Sequence, residues 1–171
     1  MFKVGIIGPE STGKSTLARY LAQRYHATYI PEYAREYVES LAPTYAYTYE
    51  DVVRIARHQV HQLEELCALD HAPSLSASKS VCFFDTELII TKVWFLHKYG
   101  TCPDFLIEAL RRFPMDVYLL CYPDIPWVSD QVRENPEIRL YLYEWYEREI
   151  QALNIPYYII RHTQTSTCEQ E

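Results

Sequence analysis

The sequence predicts an α/β fold: a five-stranded parallel sheet with helices on both faces, a three-layer α/β/α arrangement. Two observations predict it. Five short apolar runs alternate with helical patterns along the 171 residues, the order a parallel sheet needs, because each return to the same end requires a connection long enough for a helix. A glycine-bearing loop, Gly8-Pro9-Glu10-Ser11-Thr12-Gly13-Lys14-Ser15, joins the first apolar run to the first helical one.

Taken in order, Val4 to Ile7 is the first strand, and Ser15 to Tyr25 carries Leu17, Ala18, Leu21 and Ala22 at helical spacing. Ala27 to Ile30 is a second short strand stopped by Pro31, and Glu32 to Leu41 reads as helix up to Pro43. Tyr45 to Tyr49 is a polar-aromatic connection. It leads to a long amphipathic helix from Glu50 to Leu69, whose apolar stripe includes Val52, Ile55, Ala56, Val60, Leu63 and Leu66, and which the Ser/Ala/Pro-rich stretch Ala72 to Ser80 ends. Val81 to Asp85 is a buried strand with an acid at its carboxyl end. Helices follow at Leu88 to Tyr99, closed by Gly100, and at Asp104 to Phe113, closed by Pro114. Asp116 to Cys121 is the fourth strand, Pro136 to about Leu153 a helix with proline in its first turn, and Tyr157 to Ile160 the last strand. Residues 1–160 are read as one domain and 161–171 as a polar tail.

Composition narrows the partners. Sixteen basic against twenty-three acidic residues give a formal charge of −7, and no Lys/Arg stripe is present to neutralise a row of phosphates, which argues against a nucleic-acid polymer. Five scattered cysteines, never in a C-x-x-C pair, read as reduced cytoplasmic thiols. No apolar run approaches the length of a membrane span, and the opening Phe2 to Ile7 is used up by the first strand. The sequence leaves room for a homo-oligomer.

The loop matches G-x-x-x-x-G-K-[ST], the P-loop of nucleoside-triphosphate sites, and each fixed position has a mechanical reason. Gly8 and Gly13 let the backbone curl until its N–H groups face the phosphates. Around them Glu10, Ser11, Thr12, Ser15 and Thr16 complete an ATP cradle, with Lys14 as a point charge on the β/γ side. Ser15 offers its hydroxyl to Mg²⁺, and the helix beginning there directs its positive end at the anion. The fold is thereby read as a P-loop NTPase.

Ligands in such sheets sit beyond the carboxyl ends of the strands, which gives three acids weight. Asp85 either holds Mg²⁺, directly or through water, or caps the next helix. Glu32 either accepts the proton of an attacking hydroxyl or, as a helix-start acid, meets the dipole. Asp124 lies between Pro123 and Pro126 and reads equally well as a turn residue. Arg133 and Arg139 fall late in the order of elements, where a flap can close on the phosphates and neutralise charge spreading over the equatorial oxygens; surface ion pairing is the alternative for both. His58 and His61, beside Glu64 and Glu65, can be drawn as a metal site, but a solvated helix face explains them better. Most of the sixteen tyrosines are read as packing residues with surface hydroxyls.

Four blocks in series, Gly-Pro-Glu-Ser-Thr-Gly-Lys-Ser-Thr-Leu-Ala, Pro-Glu-Tyr-Ala-Arg-Glu, Phe-Phe-Asp-Thr-Glu and Asp-Ile-Pro-Trp-Val-Ser-Asp-Gln-Val-Arg, give the chain from Phe2 to about Ile160 a specific likeness. It resembles the ribosylnicotinamide kinase domain of the bacterial NadR family. The resemblance implies ATP- and Mg²⁺-dependent phosphorylation of the 5′-hydroxyl of nicotinamide riboside to nicotinamide mononucleotide. It assigns Lys14 and Ser15 to ATP and metal, Glu32, Tyr33, Arg35, Glu36 and Trp127 to the nucleoside-like acceptor, Asp85 to metal or base, and Arg133 to the lid. Pro31 departs from the family, in which an aromatic residue often stands there and stacks on the nicotinamide ring; either Tyr29 or Tyr33 substitutes for it, or the acceptor is another nucleoside or small alcohol. The adenylyltransferase and helix-turn-helix parts of NadR proteins have no counterpart in these residues.

Two other classes fit less well. A switch GTPase needs D-x-x-G and N/T-K-x-D, whereas Asp85 is followed by Thr86-Glu87-Leu88 and no guanine motif is present. An ATPase module driving a protein partner usually ends its metal strand in Asp-Glu, and here Thr86 follows Asp85.

Overall fold

The computed structural model describes residues 1–42, 44–70, 80–127 and 137–162. Eleven elements follow in order: β1 (Phe2–Ile7), α1 (Lys14–Arg24), β2 (Thr28–Ile30), α2 (Tyr33–Ser40), α3 (Tyr49–Asp70), β3 (Val81–Asp85), α4 (Leu88–Tyr99), α5 (Asp104–Arg112), β4 (Val117–Cys121), α6 (Arg139–Leu153) and β5 (Tyr157–Ile160). The strands form one parallel sheet in the order β2-β3-β1-β4-β5. The expected fold class is the observed one.

Right-handed crossovers to opposite sides of β1 put the helices on opposite faces. Alternate strand residues Val4, Ile6, Phe83 and Cys121 pack on Ala18 and Ala22 of α1. Their neighbours Ile7, Ile30, Phe84 and Leu120 join the larger core beneath α3 to α6. Because β1 leads to α1 and the adjacent β3 leads to α4, their carboxyl ends open onto one crevice, in register at Ile6 opposite Asp85.

Two boundaries differ from the sequence reading by more than one residue. β1 starts at Phe2, since the Phe2 N–H donates to the Ser80 carbonyl at 2.7 Å and the ladder continues from Phe2 opposite Val81. The last helix starts at Arg139, with Ile138 as its cap residue, and Pro136 lies outside the described residues.

Backbone shape at the sheet's carboxyl edge is tightly constrained. A Cβ on Gly8 would stand 2.6 Å from the Cys121 carbonyl oxygen, so the first glycine of the loop is required by the neighbouring strand as well as by the phosphate turn. Thr86 has φ 67°, unusual for a β-branched residue, and its N–H donates to the Ile6 carbonyl at 3.0 Å. That bond fastens the turn after β3 to β1 next to the P-loop.

Candidate active site

A cavity of about 490 Å³ opens at this edge, between the P-loop and the facing sides of α2, α4 and α6. Gly8, Glu10 to Thr16 and Glu32 line one end. Ser11 and Gly13 take left-handed conformations (φ 53° and 75°), turning the chain into α1. Gly13 caps α1 without a side-chain bond, so the first N–H groups of the helix remain available to an anion. The Lys14 ammonium and the Thr12 hydroxyl both donate to the Pro9 carbonyl, at 2.7 and 2.9 Å.

Arg139 stands against this loop in a manner the sequence does not show. Its guanidinium donates to the Ser11 carbonyl at 3.0 Å and to the Ile125 carbonyl at 3.0 and 3.1 Å, tying the P-loop to the segment after β4. The Trp127 indole N–H reaches Glu10 Oε2 at 3.4 Å from outside the cavity wall. Asp124 accepts the His162 N–H at 2.9 Å, a structural anchor. Arg133 lies outside the described residues.

The acids separate cleanly. Asp85 does not cap the following helix. Glu87 does, accepting the Ile89 N–H at 2.8 Å, and its burial pushes its carboxyl up to about 7. Asp85 is 2% exposed; the Tyr29 hydroxyl donates to its Oδ2 at 3.0 Å, while its buried Oδ1 has no hydrogen-bond partner among the described residues. A bare, buried carboxylate oxygen at the end of β3, next to the strand that leads into the P-loop, is costly unless something meets it, and its chemistry fits a hard cation such as Mg²⁺; Ser15 lines the cavity wall.

Glu32 occupies the cap position of α2 but makes no side-chain cap bond; it lines the cavity, 22% exposed, with Arg35 Nε at 3.5 Å. Burial pushes its carboxyl above the ordinary glutamate range, opposed by the charge of Lys14 and reinforced by that of Asp85. The phenol of Tyr146, from α6, is raised by burial and then by the charges of Glu10 and Glu32.

Besides Trp127, two further expected acceptor residues stand outside the cavity wall. Tyr33 turns outward and stacks on His58, ring centroids 3.5 Å apart and 15° from parallel. Glu36 is exposed on the first turn of α2 and is not part of the wall. His61 reaches Glu65 at 3.5 Å one turn along α3, so both histidines are engaged on a helix face.

What the sequence reading missed is the far end of the cavity: Tyr45 and Tyr47 before α3, and Trp94 and Lys98 on α4. The signal was present, because Ile90, Trp94 and Lys98 recur at i, i+4 on one helical face, but an apolar helix reads simply as core. Asp51 fixes this wall. Its carboxylate accepts the Thr48 N–H and hydroxyl, both at 2.8 Å, closing a capping box for α3, and also the hydroxyls of Tyr37 at 2.7 Å and Tyr45 at 2.9 Å. The Thr48 N–H first, then the Tyr37 hydroxyl, hold its carboxyl well below the ordinary carboxylate range. Asp51→Ala is expected to cost ~2–4 kcal/mol of stability, read by denaturant melts. The stabilisation is fully present above the unfolded aspartate value near 4 and is lost as pH falls below it toward the depressed folded value; equal acid sensitivity of Asp51→Ala and the parent would contradict this.

The sequence profile of the AAA domain family matches residues 3–167. The chain belongs to this family. It is also similar to NadR proteins. It is 31% identical over 133 residues to the trifunctional NAD biosynthesis/regulator protein NadR of Escherichia coli (strain K12), a match covering 76% of this chain and 30% of that protein. A NadR protein crystallised in complex with NAD and AMP-PNP superposes with a TM-score of 0.67 at 26% identity, over 96% of this chain and 45% of the other. A NadR protein in complex with NR superposes at 0.72 and 23% identity, over 99% and 46%. This AAA-domain chain thus spans less than half of each relative. No helix among its described residues is long and apolar enough to cross a membrane.

Proposed function

We propose that the chain is an ATP-dependent kinase that phosphorylates a nucleoside hydroxyl, with the 5′-hydroxyl of nicotinamide riboside as acceptor and nicotinamide mononucleotide as product. The observation that carries this reading is the continuous cavity, which joins a phosphate cradle, with the carboxylate of Glu32 beside it, to an aromatic wall at the other end. That order puts a proton acceptor between a triphosphate and a ring-bearing alcohol, the geometry in-line phosphoryl transfer requires. The NadR relatives, one in complex with NAD and AMP-PNP and another with NR, support the choice of both substrates.

In this mechanism the P-loop amides and Lys14 bind the triphosphate, and Ser15 and Asp85 would hold Mg²⁺. The metal, when bound, neutralises charge on the phosphate oxygens. Glu32 receives the hydroxyl proton, and Arg35, 3.5 Å away, steadies its carboxylate. Arg139 keeps the P-loop in position through the Ser11 carbonyl.

The test is ADP release from Mg-ATP with nicotinamide riboside, with the common nucleosides and deoxynucleosides, and with no acceptor. Acceptor-dependent release is expected. Equal release in every mixture would instead favour an ATPase module acting through a protein partner.

A further inference from the structure

Both carboxylates that line the cavity among the described residues, Glu10 and Glu32, belong to its P-loop end. The opposite wall is aromatic and basic, formed by Tyr45, Tyr47, Trp94, His97 and Lys98. Arg35, between the two ends, faces Glu32 at 3.5 Å and Glu39 at 3.4 Å. Lys98 forms no ion pair with a described residue; its ammonium lies 3.5 Å from the ring centroid of Tyr47. Tyr47 is itself held in place: the Trp94 indole donates to its hydroxyl at 3.2 Å, and the two rings meet edge to face at 5.0 Å. The seat over an aromatic face that a cationic ring would seek is therefore taken by the protein's own cation.

A pyridinium nucleoside entering this end brings a positive charge toward Lys98 with no carboxylate on the wall to offset it. A carboxylate on the same ring reverses the interaction, because it pairs with the ammonium of Lys98, which is exposed at this end of the cavity. We propose that Lys98 is a specificity-determining residue that recognises an anionic substituent on the ring of the acceptor. The acceptor class then includes carboxylate-bearing nucleosides, of which the acid analogue of nicotinamide riboside is the simplest. This inference rests on the kinase reading and adds a second substrate to it.

The experiment compares kcat/KM for nicotinamide riboside and nicotinic acid riboside in the parent enzyme, Lys98→Gln and Lys98→Arg. The acid is expected to be phosphorylated by the parent. The acid-to-amide ratio should fall about fivefold in Lys98→Gln, the upper range for an exposed ion pair, and be retained in Lys98→Arg. Added salt should lower the ratio in the parent but not in Lys98→Gln, a response that loss of packing alone does not produce. Amide turnover without acid turnover, or a ratio that moves less than about twofold on losing Lys98, overturns the inference and leaves the kinase reading standing. Turnover of neither riboside overturns both.

Discussion

Replacing Lys14 with alanine is expected to lower acceptor phosphorylation by about a hundred- to a thousandfold, the range for losing one preorganised charge aimed at the reacting phosphate, with little change in stability. The second half follows from the loop's own bonding. Lys14 donates to the Pro9 carbonyl at 2.7 Å, but the Thr12 hydroxyl donates to the same oxygen at 2.9 Å, so removing the lysine does not orphan it. Gly13 and Ser11 set the backbone turn without help from the side chain at position 14. Thermal unfolding without nucleotide should therefore overlay the parent, whereas the upward shift produced by Mg-ATP should be much smaller in the variant. Arginine should not restore activity, because its planar fork does not fit a space shaped for a compact ammonium. A Lys14→Ala protein that keeps more than about a tenth of parental turnover would remove the lysine from the transition state.

How much of this could be read from the sequence depended on whether geometry is fixed locally or by packing. The P-loop was legible because its constraints are those of a few consecutive residues: glycines where φ is positive, a lysine and serine at the start of a helix. The sheet was legible because strand and helix periods differ. Asp85 was legible as an acid at the end of β3 but not in its bonding, since the hydroxyl it accepts comes from Tyr29, on the neighbouring strand β2. Glu87 was overlooked as the cap of α4 because the chain reaches that helix through a residue at positive φ, Thr86, which the residue type does not advertise. The tyrosines show the limit most clearly. Tyr33, next to the catalytic candidate, turns away onto His58, while Tyr47, fifteen positions on from Glu32, stands in the cavity wall. Beside Tyr47 in that wall, Tyr45 is held by Asp51 six positions on, and Asp51 also accepts from Thr48 in the capping box of α3; the Thr-x-x-Asp spacing was on view, but it marks a helix start and not which ring lines a cavity.

Glu32 and Asp85 are expected to fail in different ways when neutralised, and the contrast is a decisive test of the proposed mechanism. Glu32→Gln keeps the shape and the contact with Arg35 but cannot take a proton, so kcat should fall about 10²- to 10⁴-fold at saturating Mg-ATP, with the Mg²⁺ concentration for half-maximal rate unchanged. The pH profile supplies a second signature. A general base works only when ionised, so the parental rate rises with pH through the Glu32 titration, and because burial raises that carboxyl the rise should come above the ordinary glutamate value. In Glu32→Gln this acid limb should disappear. Asp85→Asn leaves the base in place but weakens the anionic oxygen available to the metal, so the half-saturating Mg²⁺ concentration should rise by about tenfold or more, with the acid limb retained. The direction of the coupling also matters: Asp85 raises the Glu32 titration through its charge, so neutralising it should move the limb slightly toward lower pH. If instead Glu32→Gln shifts the Mg²⁺ requirement and Asp85→Asn erases the acid limb, the two carboxylates have exchanged roles, and the hydroxyl of the acceptor must approach from the β3 side of the crevice rather than from α2.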